Sequence, residues 1–138
     1  MRVQLGDWAS LREWAEPIRQ AVFVDEQKVP ADIEIDEWDP RSVHAVAFDE
    51  QGRALGTGRL LPDGHIGRMA VVREARGSGV GSELLSALMA EARRRGHQTA
   101  VLSAQTHAVP FYLRHGYGVV GDEYLDAGIV HVDMQRPL

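Results

Sequence analysis

The run Arg73-Glu74-Ala75-Arg76-Gly77-Ser78-Gly79-Val80-Gly81 carries the sharpest chemical signal in the chain. It lies between an apolar, strand-like stretch and a long amphipathic segment, where a helix must begin. A helix N-terminus leaves about four main-chain N–H groups without partners and concentrates roughly half a positive charge, so it attracts phosphate. Gly77, Gly79 and Gly81 let an anion approach the main chain with no Cβ in the way, and Arg76 adds a charged donor. Read only as a strand-to-helix connection, the run would start a helix with three glycines at about 1 kcal/mol each relative to alanine. Two familiar nucleotide motifs fail on spacing. A P-loop ends in Gly-Lys-Ser/Thr and a dinucleotide fingerprint needs Gly-x-Gly-x-x-Gly, whereas this turn reads Gly-x-Gly-x-Gly without lysine.

Other chemistries are thinly supported. His44, His65, His97, His107, His115 and His131 show no ligand spacing such as His-Glu-x-x-His, so no metal is expected. Gly77-Ser78-Gly79 lacks the flanks of a Gly-x-Ser-x-Gly nucleophile elbow. The chain has no cysteine, which excludes disulfides, thiolate metal sites and a cysteine nucleophile. Trp8, Trp14 and Trp38 read as core or pocket-wall aromatics rather than base-stacking platforms.

The elements that must position the glycine turn follow from periodicity. Arg2 to Leu5 reads as a short strand. After Ser10, a candidate N-cap, the apolar positions Leu11, Trp14, Ile18 and Val22 recur at helical spacing, with Pro17 forcing a kink or a second helix ending near Val24. Asp25 to Asp39 reads as an acidic ordered loop with a short helical turn. Three antiparallel strands follow, His44 to Phe48, Ala54 to Leu61 and Ile66 to Val72, joined by turns around Gly52 and Gly64. From Gly79, the residues Val80, Leu84, Leu85, Leu88 and Ala92 form one apolar helical stripe, closed by Gly96 after three arginines. Thr99 to Ser103 is a strand, Ala108 to His115 a short helix closed by Gly116, and Tyr117 to Val120 and Ile129 to Met134 two last strands. Strand, long helix, strand is a βαβ unit, so the strands flanking the long helix run parallel. The fold class is α+β, with a mixed, mostly antiparallel sheet.

With 138 residues the chain reads as one domain over 1–138, large enough to build its own core. Its 44% hydrophobic and 25% charged residues place it among globular proteins. The formal charge of −5 weighs against a nucleic-acid partner, and no apolar run reaches the roughly 20 residues that span a bilayer. The N-terminal residues lack the look of a secretory signal, so a cytoplasmic protein is expected.

The spacing Arg-x-x-Gly-x-Gly at Arg76, Gly79 and Gly81 resembles the pyrophosphate turn of the GNAT superfamily of N-acetyltransferases. Gln105-Thr106-His107-Ala108-Val109-Pro110-Phe111-Tyr112, continuing to Gly116-Tyr117, is similar to that family's Asn-x-x-Ala-x-x-Phe-Tyr-x-x-x-Gly-Phe, with Gln105 for Asn and Tyr117 for Phe. Arg19 to Pro30, with Val22-Phe23-Val24 and Glu26-Gln27, resembles a small bacterial branch of the family, and so does Gly128 to Met134. The resemblance spans nearly the whole chain. It implies a strand pair, Gly67 to Val72 and Thr99 to Ser103, splayed around the pantetheine arm of acetyl-CoA.

The resemblance further implies that Met69 and Val71 bond the arm, that the amides from Arg76 through Gly77, Ser78, Gly79 and Val80 to Gly81 take the pyrophosphate, and that Gln105, Phe111 and Tyr112 line the cofactor. Tyr112 matches the position where the family often keeps a tyrosine beside the cofactor sulfur, where a phenol can protonate the departing thiolate or hold it by hydrogen bond, and a main-chain N–H near Ala70 or Val71 would polarise the carbonyl. For the base, Glu26 and His131 rank first. Glu26, Glu34 and Asp36 would face the acceptor amine and favour a cationic small molecule. A homodimer is compatible with the resemblance. The competing reading is an acyl-CoA-binding regulatory module without turnover.

Overall fold

The computed structural model describes every residue from Met1 to Leu138. Strands β1 (Arg2–Gly6), β2 (Val43–Phe48), β3 (Ala54–Leu60), β4 (His65–Val71), β5 (Thr99–Gln105), β6 (Gly118–Asp126) and β7 (Ile129–Pro137) form one sheet, in the order β1-β2-β3-β4-β5-β7-β6. All neighbours are antiparallel except β4 and β5, which run parallel as the βαβ argument requires. The helices are α1 (Trp8–Arg19), α2 (Ala31–Glu34), α3 (Val80–Arg94) and α4 (Val109–Arg114). Seven strands in one mixed sheet with four helices make an α+β fold.

Strand β2 shows why helices cover both faces. Its run Ala45-Val46-Ala47-Phe48 is buried throughout, as a strand sandwiched between layers must be. Ala45 and Ala47 meet the α3 stripe of Val80, Leu84, Leu85, Leu88 and Ala92. Val46 and Phe48, one residue out of phase, meet Trp8, Leu11 and Ala15 of α1. Truncating Leu84 or Leu88, both fully buried, to alanine would cost about 2–5 kcal/mol.

Three boundaries differ from the sequence reading for local reasons. The N-cap of α1 is Asp7, whose Oδ1 accepts the Ser10 N–H at 2.8 Å, so the helix begins before Ser10. Pro17 does not break α1. It removes one donor, and past Arg19 the chain widens into a π-helical segment, Gln20–Glu26, closed by Gln27 N–H to the Val22 carbonyl at 3.1 Å. Strand β6 runs on to Asp126 because its ladder with β7 resumes after an irregularity that begins at Val120, and Gly121 within it takes φ +81°.

Candidate active site

The parallel pair β4 and β5 is joined only at His65 opposite Val101 and Ile66 opposite Leu102. Beyond Ile66 the two strands part. The cause lies in β4: Thr57 faces Ala70 but Arg59 faces Gly67, so Arg68 and Met69 together oppose Gly58. At this bulge Arg68 takes φ +48°, a left-handed conformation that costs a non-glycine residue energy. A Cβ at Gly58, opposite it, would stand 2.5 Å from the Met69 sulfur and 2.8 Å from Leu88 Cδ1, so those side chains would have to shift. Val72 donates to the Leu55 carbonyl of β3 at 2.9 Å. Strand alternation therefore turns the main chain of Val71 and Met69 toward the gap and that of Ala70 toward β3. Ala70 is thus excluded as the carbonyl-polarising donor, and its side chain packs with Ile18, Val22 and Phe23.

The glycine turn opens at the same gap. Gly77 and Gly79 take φ +81° and +88°, and a Cβ on either would meet nothing within 4 Å. Gly79 caps α3 without any side-chain bond. No protein group accepts from the N–H groups of Gly77, Ser78, Gly79, Val80, Gly81 and Ser82; the first bonded amide is Glu83, to the Gly79 carbonyl. A contiguous arc of free donors, at the positive end of a helix and over open space, is what an oxyanion needs. The Ser78 hydroxyl instead donates to the Ala75 carbonyl. A Cβ on Gly81 would lie 3.3 Å from the Phe111 ring, so α4 packs directly on the first turn of α3 and holds Tyr112 beside the gap.

A cavity of about 630 Å³ extends from the gap, lined by Met69, Gln105, Tyr112 and His131 and by an apolar wall that includes Ile33 and Trp38. Tyr112 is 8% exposed and packs edge-on against Phe111 and Tyr117. Burial pushes its phenol up to about 12, so it keeps its proton. Gln105 donates to Gln27 Oε1 at 2.7 Å, linking β5 to the end of the π-helical segment. Register sets His131 opposite Gln105. The Ile129 carbonyl, 2.7 Å from His131 Nδ1, can only accept, which places the proton of the neutral ring on Nδ1 and a lone pair on Nε2. The ring stacks on Tyr124, whose hydroxyl donates to Asp133 at 2.6 Å.

The carboxylates are placed otherwise than the sequence led us to expect. Glu26 does not line the cavity. It receives Arg76 at 2.6 Å and Arg73 at 2.7 Å, and these bonds hold its carboxyl below the usual range, a poor setting for a base. Arg76 also donates to the Val71 carbonyl at 3.0 Å, so this arginine ties the turn to the edge of β4. Glu34 lines the cavity but is buried, and its carboxylate is held by Arg19 at 2.6 Å. Asp36 receives Arg59 at 2.7 Å and Arg68 at 3.2 Å. Asp39 completes the cluster: burial alone would raise its pKa, but Arg19 and Arg59 bring it down to about 2. Neither Glu34 nor Asp36 is left free to meet a substrate cation.

Sequence reasoning missed Arg59 and Arg68, both in the cavity wall. One signal was present, since Gly67 inside an apolar strand marks a bulge, but nothing local says which side chain the bulge aims. No three His, Asp or Glu side chains gather into a metal-binding group.

The sequence and the fold were compared with those of known proteins. The family model described as the acetyltransferase (GNAT) domain matches residues 16–138. A Bacillus subtilis protein named "uncharacterized N-acetyltransferase YjcF" is 43% identical over 123 residues, covering 86% of this chain and 87% of its own. An acyl-CoA N-acyltransferase structure from Pseudomonas aeruginosa superposes with a TM-score of 0.85 at 32% identity, over 98% of each chain. Escherichia coli ElaA superposes with a TM-score of 0.84 at 27% identity, again over 98% of each. The chain belongs to the GNAT acetyltransferase family and is an acyltransferase of the N-acetyltransferase type.

Proposed function

We propose that this protein transfers the acetyl group of acetyl-CoA directly to the primary amine of a small molecule. The observation that carries the reading is that the free amides at Gly77 to Ser82 are tied through Arg76 to the Val71 carbonyl of β4, the same strand whose Met69 lines the cavity with Tyr112 and His131. The amides bind the diphosphate, with Arg76 beside them. Met69 and Val71 receive the pantetheine arm as an added strand, and Gln105 and Phe111 border it. Donor chemistry of this kind accords with the acyl-CoA N-acyltransferase neighbour.

The chemistry follows from what each group can give. The amine must lose a proton, and the Nε2 lone pair of His131 takes it, directly or through water. Its nitrogen attacks the thioester carbonyl, whose oxygen is polarised by the Val71 N–H. The new C–N bond forms as the C–S bond breaks, and the nitrogen, still one proton richer than an amide, releases that proton to water. A phenol held near 12 is too weak an acid to hand its proton fully to a thiolate of ordinary pKa ~8.5. Tyr112 therefore acts as a hydrogen-bond donor that stabilises the departing sulfur, and the thiol's proton comes from the medium. Because the acidic segment is neutralised internally, the substrate is assigned as a small amine without the preference for a cation.

Free CoA release from acetyl-CoA across a panel of amines tests the reading. Release that depends on an amine supports it; tight acetyl-CoA binding with no release on any amine favours a silent acyl-CoA-binding module. A homodimer is the assembly we propose, supported by β6, an edge strand exposed along its whole length with Val119, Val120 and Leu125 on the surface. Sedimentation at micromolar concentration checks it; a monomer throughout would remove it.

A further inference from the structure

The polar wall of the cavity is unbalanced in its hydrogen bonding although balanced in charge. Arg19, Arg59 and Arg68 face Glu34, Asp36 and Asp39. Every carboxylate oxygen of the three acids already accepts a bond: Glu34 from Arg19, Asp36 from Arg59, Arg68 and the Trp38 N–H, and Asp39 from Arg19, Arg59 and the Asp36 N–H. The arginines are not exhausted. Arg59, 5% exposed, leaves its Nε–H buried with no partner, and Arg68 uses only Nε and Nη2, toward the Glu34 carbonyl and Asp36. A buried unsatisfied donor is costly and calls for an acceptor. Both residues line the cavity, as do the apolar Ile33 and Trp38.

We propose that this wall is a carboxylate receptor, and that the acceptor substrate is an amino-acid-like molecule whose amine points to Tyr112 and His131 while its carboxylate meets the unpartnered Nη1 of Arg68, with the buried cation of Arg59 behind it. This deepens the acetyltransfer reading and rests on it. The left-handed Arg68 at the β4 bulge is what aims the guanidinium away from the strand ladder. Its environment agrees: burial, then the neighbouring Arg59 and Arg19, weaken its hold on the proton, so an added negative charge is welcome. The apolar wall then takes an apolar side group on the same substrate.

The test uses binding as well as turnover. N-acetyl-L-leucine and N-acetyl-L-phenylalanine are titrated by calorimetry into the CoA-saturated protein, beside N-acetylisoamylamine and N-acetylphenethylamine, which lack only the carboxylate. The carboxylates bind at least 10-fold tighter in the wild type, and Arg68→Gln removes about 10- to 100-fold of that affinity, the range for one charge-assisted bond, without moving CoA affinity. Arg68→Gly supplies a second variant, since glycine keeps the left-handed turn without strain. Equal or better binding of the decarboxylated partners, or no binding of either carboxylate, overturns the proposal. In that case amine-dependent CoA release on polyamines would leave the acetyltransfer reading standing, and absence of release on every amine would remove that reading separately.

Discussion

Replacing Gly79 by alanine separates the cost of bending the chain from the cost of obstructing a phosphate. A Cβ at this position meets no protein atom within 4 Å, so there is no internal clash, and the only intrinsic penalty comes from φ +88°. That conformation costs an L-residue about 1–2 kcal/mol. Gly52, in the turn between β2 and β3, has φ +80° and equally open surroundings, so Gly52→Ala should lose the same stability. The two variants diverge on ligand binding. At Gly79 the methyl stands in the space over the free amides, and displacing the diphosphate from one of them forfeits about 1.5–3 kcal/mol, or 10- to 100-fold in affinity. Calorimetry with acetyl-CoA should show that loss for Gly79→Ala and none for Gly52→Ala. S-acetylpantetheine, which has no diphosphate, should bind both variants like the wild type. An equal loss with S-acetylpantetheine, or undiminished acetyl-CoA binding by Gly79→Ala, would refute the assignment of the turn to phosphate.

Three further expectations concern the groups around the gap. Tyr112→Phe should lower kcat by roughly 10²- to 10³-fold with acetyl-CoA affinity unchanged, the effect of losing one donor to developing charge; unaltered kcat would remove Tyr112 from the chemistry. Since its phenol titrates at about 12, wild-type kcat should show no decline on the alkaline side up to about pH 10, and a fall there that Tyr112→Phe abolishes would contradict the burial argument. His131→Gln should lower kcat about 10²-fold or more with acetyl-CoA affinity unchanged, whereas an undiminished kcat would place the base elsewhere. Asp39 titrates at about 2 when folded against roughly 3.9 unfolded, so its roughly 2–3 kcal/mol of stability is complete above about pH 4 and lost as the pH falls through 2. Asp39→Asn, which takes from buried Arg19 and Arg59 one of the two carboxylates each holds, should cost about 2–3 kcal/mol in urea unfolding and flatten that acid transition; a cost under 1 kcal/mol would show that the cluster does not act as a unit.

What the sequence made legible divides along physical lines. The glycine turn could be read because its signal is local: positive φ, absent side chains and a helix start all lie within Gly77 to Gly81, and the structure places them so. The parallel pairing of β4 and β5 followed from the strand–helix–strand order alone. The partners of the acidic segment could not be read in the same way. Arg19 sits 15 residues before Glu34, and Arg59 comes 23 residues after Asp36, on different elements, so only the packed fold reveals that these charges neutralise each other. Glu26 likewise meets Arg76 across 50 residues. The side chain that the β4 bulge aims into the cavity belongs to Arg68, whose positive φ is imposed by the ladder rather than by its own preference. The full length of β6 was hidden for a related reason, because its polar residues 121–123 fall in an irregularity of the ladder with β7, and pairing resumes only at Tyr124.

A crystal structure of the protein with acetyl-CoA tests the central claim most directly. The diphosphate oxygens should lie within about 3 Å of the main-chain nitrogens between Gly77 and Ser82, with the thioester sulfur beside the Tyr112 hydroxyl. A coenzyme whose diphosphate is bound elsewhere, with those nitrogens in contact only with solvent, would contradict it.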